Sequence, residues 1–598
     1  METQQKIFGQ IVEILRQTGM TEERVIELAL QVVVWEKLSH DGALPDELKL
    51  QQKYADNAQR GAHAMSKLGE LDGVIGEAFA TANINTLIVS ADNLFNHLRR
   101  AIETLLRLRK SDMLEQQWSL DIFEGLNSRA GSFALPPELA DLMIELADLR
   151  VDESVYLPWD ATAQSAMRVS KQDCDALIET PMRTSVPALI NLLMSRKFDV
   201  IYGDPIRQPG AIESGRLRKF DAVIAFPPFG MRFDFSLVDG DLWGRFPERT
   251  QSGSVLAIRH ALAQSKGRCV VAVPNSFLFG SGPETVCRQQ LVESGQICAV
   301  IALPPILPNA PTLPFSLMLL DATGGSELIR FINADSDRFR SMASRTKAKL
   351  TDAQALAEQA RTTVESEVLR MVSIAEVQAN DYNLEVSRYL LDKTAQRLQQ
   401  RLQSDKIIVL GEVSEIIRPL PLLRDGDGVG VREVGAGDLP AYGYIDRASR
   451  TVTVEAGIAK RNAHQFLRPF DVVLVIKGSV GKVGIVTADC PPDGEGGWVA
   501  SQSAIVLRGR RNDPLEAHAL AVQLRSVVGQ ELLKMITSGA SIPLIQVREL
   551  QQMRLFAFDE ETAKQAQIAL ATEADIHNQI LTLGERQAAA AGDLWACM

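Results

Sequence analysis

Hydrophobic residues recur at helical spacing over the first fifth of the chain. Ile7, Ile11 and Leu15 lie four residues apart, and the pattern continues in later runs such as 98–106. Apolar residues at this spacing form one face of an amphipathic helix. Glycine is sparse here, so residues 1–127 are predicted to form a helical N-terminal domain.

Between residues 128 and 335 the pattern changes to short apolar runs bounded by Gly, Pro and Asp. Each run is too short for a typical helix, most are rich in β-branched residues, and the stretches between them suit crossover helices. This domain is therefore predicted to be a mostly parallel, doubly wound α/β sheet. The runs are 198–202, 222–225, 269–273, 299–303 and 316–320.

The remainder of the chain is predicted to contain three further segments. Residues 336–405 are polar and are expected to be a helical connector. Residues 406–558 alternate short strands with glycine-rich turns, which predicts a separate α+β domain. Residues 559–598 are predicted to be a long helix and a tail. The predicted fold class of the whole chain is multidomain α/β.

A seven-residue repeat runs through this last helix. Its members are Ala569, Ile576 and Leu583, with Ala566 and Ile580 on a second line. Such a repeat fits a helix packed on its own domain and an intermolecular coiled coil equally well.

Composition narrows the function classes only a little. The chain has 598 residues, is 46% hydrophobic and carries a net charge of −12. No run of about 18 apolar residues predicts a membrane span, and the six cysteines form no CxxC pair that would indicate a zinc site. The chain is therefore expected to bind no metal. Since the N-terminus lacks the pattern of an export signal, the chain is also expected to be cytoplasmic.

The acidic charge is unevenly distributed. Residues 406–550 hold 17 Lys and Arg against 16 Asp and Glu, so the negative balance lies outside this segment. An acidic chain is weak evidence against DNA binding. That evidence bears little on the near-neutral segment.

The most informative segment is 220–230, which reads FDAVIAFPPFG. A buried strand ending in a Pro-Pro-Phe-Gly loop places that loop at the carboxyl edge of the sheet, where ligands of such folds bind. The two prolines fix φ and remove two N–H donors, and Phe229 can stack on a flat ring. Taken alone, the sequence Pro-Pro-Phe more often forms an ordinary turn than a ligand-binding loop.

This segment closely resembles the Asn-Pro-Pro-Phe motif of adenine-N6 DNA methyltransferases, especially the modification subunits of type I restriction systems. The resemblance covers about residues 125–390 and follows the family's order and spacing. The other segments that carry it are 131–138, 252–255, 273–279, 284–291, 300–305 and 381–389.

The resemblance implies a class I (Rossmann-like) methyltransferase domain that uses S-adenosylmethionine. In the family, the target adenine is flipped out of the duplex and stacks on the aromatic ring of the motif. The catalytic positions implied here are Phe226, Pro227, Pro228 and Phe229. The positions implied for the methyl donor are Phe133, Pro158, Asp160, Ala161, Glu179 as the ribose-binding acid, and Asp204 as the adenine-contacting acid.

Two departures from the family pattern affect the chemistry. The glycine-rich turn that should approach the donor reads LPWDATA over 157–163, and each added Cβ crowds a backbone that can require φ > 0. Phe226 occupies the Asn position and offers no acceptor to the target amine. Losing one such positioned group commonly costs about 10²–10³ in rate, so the chain is predicted to be catalytically impaired, with donor binding left open.

A second resemblance covers residues 407–590 and is to one target-recognition domain of a type I specificity subunit with its spacer helix. The segments that carry it are 410–418, 467–475, 478–484, 501–508 and 538–545. One such domain reads half of a split DNA site, which implies a homodimer or a hetero-oligomer with other restriction or defence subunits.

The glycine-rich turn 478–484 is the best candidate DNA contact. Its backbone amides, with Lys477, Ser479 and Lys482, can lie along phosphates, although a lysine-bearing hairpin turn explains the same residues. It lacks the spacing of a nucleotide P-loop. The further candidates are Lys460, Arg461, Arg468, Arg508, Arg510 and Arg511.

Three functions remain open from the sequence. The favoured one is a double-stranded DNA-recognition subunit on an impaired methyltransferase scaffold, within a restriction-modification-like or phage-defence complex. The alternative is an active site-specific adenine-N6 DNA methyltransferase using S-adenosylmethionine. A protein-interaction module that no longer binds DNA is the third.

Overall fold

The computed structural model describes residues 4–82, 91–110, 118, 135–195, 198–307, 310, 313–342, 348–391, 393–421, 428–511, 513–538 and 543–592. The chain divides into two compact units, Met1–Leu390 and Leu391–Met598.

The first unit contains helices followed by alternating strands and helices. In chain order its elements are α1 (Gln4–Arg16), α2 (Glu22–His40), α3 (Gln52–Asp56), α4 (Ala58–Leu68), α5 (Val74–Phe79), α6 (Ala91–Lys110), α7 (Pro137–Ala147), β1 (Ser154–Pro158), α8 (Gln164–Ser170), β2 (Asp175–Thr180), α9 (Val186–Met194), β3 (Asp199–Tyr202), β4 (Ile212–Glu213), β5 (Arg216–Leu217), β6 (Phe220–Ala225), α10 (Phe235–Asp239), α11 (Gly253–Ala263), β7 (Ser265–Pro274), α12 (Asn275–Phe279), α13 (Pro283–Glu293), β8 (Ile297–Ala302), β9 (Phe315–Asp321), β10 (Leu328–Asn333), β11 (Arg340–Met342), β12 (Ala348–Leu350), α14 (Ala353–Arg361), β13 (Leu369–Ser373) and α15 (Ile374–Ala379).

Nine of these strands form one sheet, in the order β13-β10-β8-β9-β7-β6-β1-β2-β3. The neighbours from β3 to β7 are parallel, and so are β8 and β10. Strand β9 runs antiparallel between β7 and β8. The predicted mostly parallel sheet is confirmed, and all five apolar runs that predicted it form strands of it.

Both faces of the sheet are buried, as the near-continuous apolar runs require. Val155 and Leu157 of β1 point into a core shared with the N-terminal helices, whereas Tyr156 between them points into a second core with α11 and α13. Because the carboxyl ends of β1 and β6 are adjacent, the loops that follow these strands lie side by side.

The N-terminal helices share their core with this sheet. Trp35 of α2 is fully buried and its indole N–H donates to the Leu48 carbonyl at 2.7 Å. Glu27, also on α2, accepts hydrogen bonds from Ser185 N at 2.5 Å and Thr184 Oγ1 at 3.2 Å, immediately before α9. One continuous hydrophobic cluster therefore joins residues on both sides of the predicted boundary at 127.

The predicted helical connector, 336–405, is different in the structure. Strand β13 lies inside it and pairs antiparallel with β10, and Tyr389 stacks on Phe331 of β10 with ring centroids 4.0 Å apart. The first unit therefore extends to Leu390 rather than to 335. Strand β13 was missed because five residues at the sheet edge, only partly apolar, give a weak pattern.

The second unit is mixed α and β. In chain order its elements are α16 (Lys393–Ser404), β14 (Ile407–Val409), α17 (Leu410–Val413), β15 (Ser414–Ile417), β16 (Val429–Val434), β17 (Arg450–Val454), α18 (Ala456–Arg461), β18 (Val472–Val475), β19 (Val483–Ile485), β20 (Trp498–Ala500), β21 (Ala504–Gly509), α19 (Pro514–Arg525), α20 (Val527–Met535), β22 (Thr537–Ser538), β23 (Leu544–Ile545), α21 (Val547–Gln551), β24 (Arg554–Phe556) and α22 (Glu560–Gly592). Its largest sheet has the order β15-β21-β18-β19 and is antiparallel throughout.

The long helix α22 is buried only near its beginning. Ala563, Ala566 and Leu570 pack inside the second unit, whereas Ile576 and Leu583 of the seven-residue repeat are 50% and 61% exposed. No described helix combines the length and apolarity needed to cross a membrane.

A buried ion pair ties β21 of the second unit to the loop before β18. Arg508 Nε lies 2.9 Å from Asp471 Oδ1 and Arg508 Nη2 lies 2.7 Å from Asp471 Oδ2. The same guanidinium donates to the carbonyls of His464 and Phe466, each at 2.8 Å. Because the Asp471 side chain is 2% exposed, it depends on Arg508 for its counter-charge.

Arg508→Ala is therefore expected to destabilise the second unit by about 3–5 kcal/mol, since it leaves a buried carboxylate unpaired. Urea unfolding of the full chain, followed by circular dichroism, measures the loss. Arg511→Ala is the matched control, because Arg511 pairs with Glu516 but is 81% exposed, and it should change stability by about 0.5 kcal/mol or less. Equal unfolding midpoints for the two variants would contradict the expectation.

Candidate functional site

The loop after β6 has an aromatic wall where the family motif has an amide. Phe226 and Phe229 are both half-buried, with ring centroids 5.3 Å apart. Both rings also contact the buried Phe315 at the start of β9, at 5.8 and 5.9 Å. Phe226 therefore packs into an aromatic cluster, and it has no acceptor that could receive a hydrogen bond from an amine.

The turn after β1 keeps the backbone shape that favours glycine without containing glycine. Trp159 has φ of +69° and Ala163 has φ of +56°. Left-handed backbone costs an ordinary residue roughly 1–2 kcal/mol. The turn therefore has the positive φ angles that were predicted for it. They are adopted by Trp159 and Ala163, whose side chains make this backbone conformation strained.

Asp160 lies in this turn, and its two carboxylate oxygens differ in their surroundings. Its Oδ2 accepts a hydrogen bond from Ala166 N at 2.9 Å. Its Oδ1 is buried and, among the described residues, has no hydrogen-bond partner. Burial raises the pKa of this carboxyl to about 6.

Glu179, the predicted ribose-binding acid, is fully buried at the end of β2. Its Oε2 accepts from the Tyr156 hydroxyl at 2.6 Å and its Oε1 accepts from Gly210 N at 2.6 Å. Burial raises the pKa of this carboxyl. Both oxygens thus accept hydrogen bonds from the protein itself, and the ribose-binding role of Glu179 stays a prediction.

The Glu179 carboxylate begins a buried chain of polar groups that extends to α11. His260 Nε2 lies 3.0 Å from the Tyr156 hydroxyl, and His260 Nδ1 lies 2.9 Å from Arg245 Nη1. Arg245 Nε in turn lies 2.9 Å from Asp241 Oδ1. Burial lowers the pKa of His260 well below its ordinary value, so the imidazole is neutral.

The direction of these hydrogen bonds follows from the donors available. A guanidinium only donates, so His260 Nδ1 accepts from Arg245 and Nε2 carries the proton. His260 then donates to the Tyr156 oxygen, and Tyr156 donates to Glu179. This network, Asp241–Arg245–His260–Tyr156–Glu179, was not predicted. Its only sequence signals were a lone histidine in the apolar helix α11 and the i, i+4 spacing of Asp241 and Arg245.

Asp204, the predicted adenine-contacting acid, caps the turn after β3. Its Oδ1 accepts from Ile206 N at 2.9 Å and Arg207 N at 3.1 Å. Its Oδ2 lies 3.3 Å from Arg207 Nε. The structure therefore places Asp204 in a local structural role.

A cavity of about 440 Å³ lies between the loops after β1 and β6. Six of the predicted site residues line it, namely Pro158, Asp160, Ala161, Phe226, Pro228 and Phe229. Pro227, Glu179 and Asp204 do not. Phe133 lies outside the described residues. The sequence thus identified the cavity wall formed by the loop after β6 and the neighbouring turn after β1.

In the second unit, the turn between β18 and β19 exposes the side chains of Lys477, Ser479 and Lys482. Its backbone amides are less available than predicted. Gly478 N donates to the Pro543 carbonyl at 2.9 Å, and Gly481 N donates to the Val475 carbonyl at 3.1 Å. The exposed side chains of this turn, more than its amides, can therefore meet phosphates.

The other predicted DNA contacts do not join this turn. Strands β18 and β21 pair with Val475 opposite Ala504, so the turn lies at one end of the sheet and Arg510 and Arg511 lie at the other, roughly 20 Å away at 3.4 Å per residue. Lys460 and Arg461 are exposed at the end of α18. Arg508 is only 11% exposed and its guanidinium is paired with Asp471, so its role as a DNA contact stays a prediction that the fold does not favour.

Among the residues that the structure describes, no group of three or more His, Cys, Asp or Glu side chains could hold a metal ion.

The raised pKa of Asp160 predicts a pH dependence of stability. Because its folded pKa is about 6 and its unfolded pKa is about 4, the stability linked to Asp160 is full below about pH 4 and is lost as pH rises to about 6, by about 3 kcal/mol. In Asp160→Asn this slope should disappear. Urea unfolding of both proteins from pH 4 to 7 measures the difference, and parallel curves would contradict it.

Comparison with known proteins shows what the first unit is similar to. Residues 111–397 match the N-6 DNA Methylase family. Two relatives from Methanocaldococcus jannaschii are each 24% identical. The type I restriction enzyme MjaVII methylase subunit matches over 416 residues, 60% of this chain and 70% of its own length. The MjaVIII methylase subunit matches over 336 residues, 51% of this chain and 56% of its own length.

Among solved structures, the type I restriction-modification system methyltransferase subunit from Streptococcus thermophilus superimposes with a TM-score of 0.54 at 15% identity, covering 64% of this chain and 98% of that one. At this identity the likeness shows the fold. The family match adds that residues 111–397 are similar in sequence to N-6 DNA methylases.

Proposed function

We propose that this chain is a DNA-recognition subunit on a catalytically impaired adenine-N6 methyltransferase scaffold, acting in a restriction-modification-like or phage-defence complex. The observation that carries the proposal is the position of Phe226. Its ring packs against Phe229 and Phe315 at the exit of β6, where the family motif supplies the acceptor for the target amine.

The missing acceptor matters because methyl transfer develops charge on the attacking nitrogen. Positioned polar groups stabilise such charge best when they are in place before the reaction, and removing one commonly costs about 10²–10³ in rate. A benzyl side chain offers no such group. Phe226 alone therefore predicts a severe loss of activity.

The methyl-donor side is altered as well. A methyltransferase scaffold implies S-adenosylmethionine, whose ribose and adenine need polar partners at the ends of β2 and β3. Here the two carboxylate oxygens of Glu179 accept hydrogen bonds from Tyr156 and Gly210. The carboxylate of Asp204 contacts Ile206 and Arg207 in the turn that it caps. The residues present do not fit this donor, and no catalytic step is derived through it.

The second unit supplies DNA recognition in this proposal. Its exposed turn carries Lys477 and Lys482, which suit contacts to phosphates. A single recognition domain reads half of a split site, so the working form is a homodimer or a complex with other restriction or defence subunits. The described relatives are named as subunits of type I restriction enzymes, which agrees with a multi-subunit assembly.

The alternative, an active methyltransferase, is tested by methyl transfer from radiolabelled S-adenosylmethionine to duplex DNA of random sequence. We expect no incorporation by the wild-type chain. We also expect none by Phe226→Asn, because the donor side remains altered. Calorimetry with S-adenosylmethionine should show no binding. Incorporation by the wild type above an enzyme-free blank would establish the alternative.

DNA binding by the second unit is tested with the double variant Lys477→Ala and Lys482→Ala. Mobility shifts on random duplex DNA should weaken, and the slope of log affinity against log salt should fall by about 2, since each lost phosphate contact removes about 0.9. Lys406→Ala with Lys564→Ala is the matched control, because both lysines are exposed and the charge change is the same.

Unchanged DNA binding by the Lys477→Ala and Lys482→Ala double variant would show that the turn 478–484 does not contact DNA. No salt-dependent shift by the wild type at low salt would instead favour a protein-interaction module.

A further inference from the structure

A cleft of about 660 Å³ lies on the helical part of the first unit and shares no lining residue with the cavity between the loops after β1 and β6. It runs between the segment 47–57, which contains α3, and helix α4. Four basic side chains line it and all four are exposed, namely Lys53, Arg60, His63 and Lys67. Glu47 is the one acidic residue of its wall among those that the structure describes.

Three of these basic side chains form one stripe along α4. Arg60, His63 and Lys67 are separated by three and four residues, which places them on the same face of the helix. The segment from Arg60 to Lys67 extends roughly 10 Å along the helix axis at 1.5 Å per residue. That length is about the rise of three base pairs of DNA. The side chains of Arg60 and Lys67 can therefore reach different phosphates of one strand.

The charges of this cleft differ from those around it. Among the residues that the structure describes, no carboxylate forms an ion pair with Lys53, Arg60 or Lys67. Just outside the cleft, by contrast, Lys49 Nζ lies 2.6 Å from Asp46 Oδ1. A concave surface lined mainly by one sign of charge focuses the electrostatic potential and attracts the opposite charge. In a chain of net charge −12, this local excess of positive charge indicates an anionic partner.

The wall of the cleft suits a polyanion better than the surface of another protein. Its apolar members, Leu48, Tyr54 and Ala64, are 8%, 6% and 4% exposed, so they offer little area to an apolar side chain. Protein interfaces depend on such buried anchors, whereas half or more of the hydrogen bonds to DNA go to phosphate and sugar. Asn57 and Gln59 add amide donors beside the basic side chains.

We propose that this cleft binds the phosphate backbone of double-stranded DNA without reading its sequence, so that the first unit has a DNA contact of its own. The inference deepens the proposed function and rests on its statement that the chain binds DNA. The contact belongs to α3 and α4, and it uses neither the loop after β6 nor the turn 478–484.

The test is the double variant Arg60→Ala and Lys67→Ala in the full chain. Both side chains are exposed and alanine favours a helix, so the variant should fold. Fluorescence anisotropy measures its binding to random-sequence duplex DNA over a series of salt concentrations. The slope of log affinity against log salt should fall by about 2, since each lost phosphate contact removes about 0.9.

Lys171→Ala with Arg338→Ala is the matched control. It removes one lysine and one arginine that are exposed elsewhere in the first unit, so the change in net charge is the same and the wild-type slope should be kept. An equal fall in the control would show an effect of net charge alone and overturn the inference. Adding Arg60→Ala and Lys67→Ala to the double variant of the turn 478–484 should lower its slope by about 2 more, because the two sets of phosphate contacts are separate.

The outcomes separate this inference from the proposed function. If the wild type binds DNA and the Arg60→Ala and Lys67→Ala variant keeps its slope, the cleft does not contact DNA and DNA recognition stands. If the wild type does not bind DNA at low salt, both proposals are overturned. If the variant keeps DNA binding but loses an oligomer that the wild type forms in size-exclusion chromatography, the cleft holds an acidic surface of a second copy, which overturns the assignment to DNA.

Discussion

The hydroxyl of Tyr156 is the group through which the buried polar side chains of the first unit are joined. It donates to Glu179 and accepts from His260, with all three groups buried. Buried polar groups stabilise a fold only when each has a partner. This network therefore fixes β1, β2 and α11 to one another.

The same constraint explains why the neighbouring cavity is apolar. With Glu179 and Asp204 engaged elsewhere, Asp160 is the acidic residue that lines the cavity among those the structure describes, and the rings of Phe226 and Phe229 form part of its wall. The two departures from the family pattern, the glycine-free turn 157–163 and Phe226, thus line the same cavity.

Sequence patterns predicted the parts of this structure that depend on local periodicity. The strand before Phe226 and the sheet around it follow from short apolar runs and their flanking residues, whereas the turn from Pro158 to Ala163 was located through the family resemblance. The buried network was missed because its five members are separated by up to about 100 residues and meet only through the fold. The pairing of Arg508 with Asp471 was missed for a related reason, since an arginine that binds phosphate and one that pairs with a buried aspartate look alike in sequence.

The core that the N-terminal helices share with the sheet has a consequence for how the chain is assembled. Helix α2 packs against α9, which is synthesised more than a hundred residues later, and Glu27 accepts its hydrogen bond from the backbone of Ser185. The leading helices cannot complete their packing until β2 and α9 have emerged from the ribosome. A cut at the apparent domain boundary would expose apolar surface on both fragments, so the two regions mature as one cooperative body.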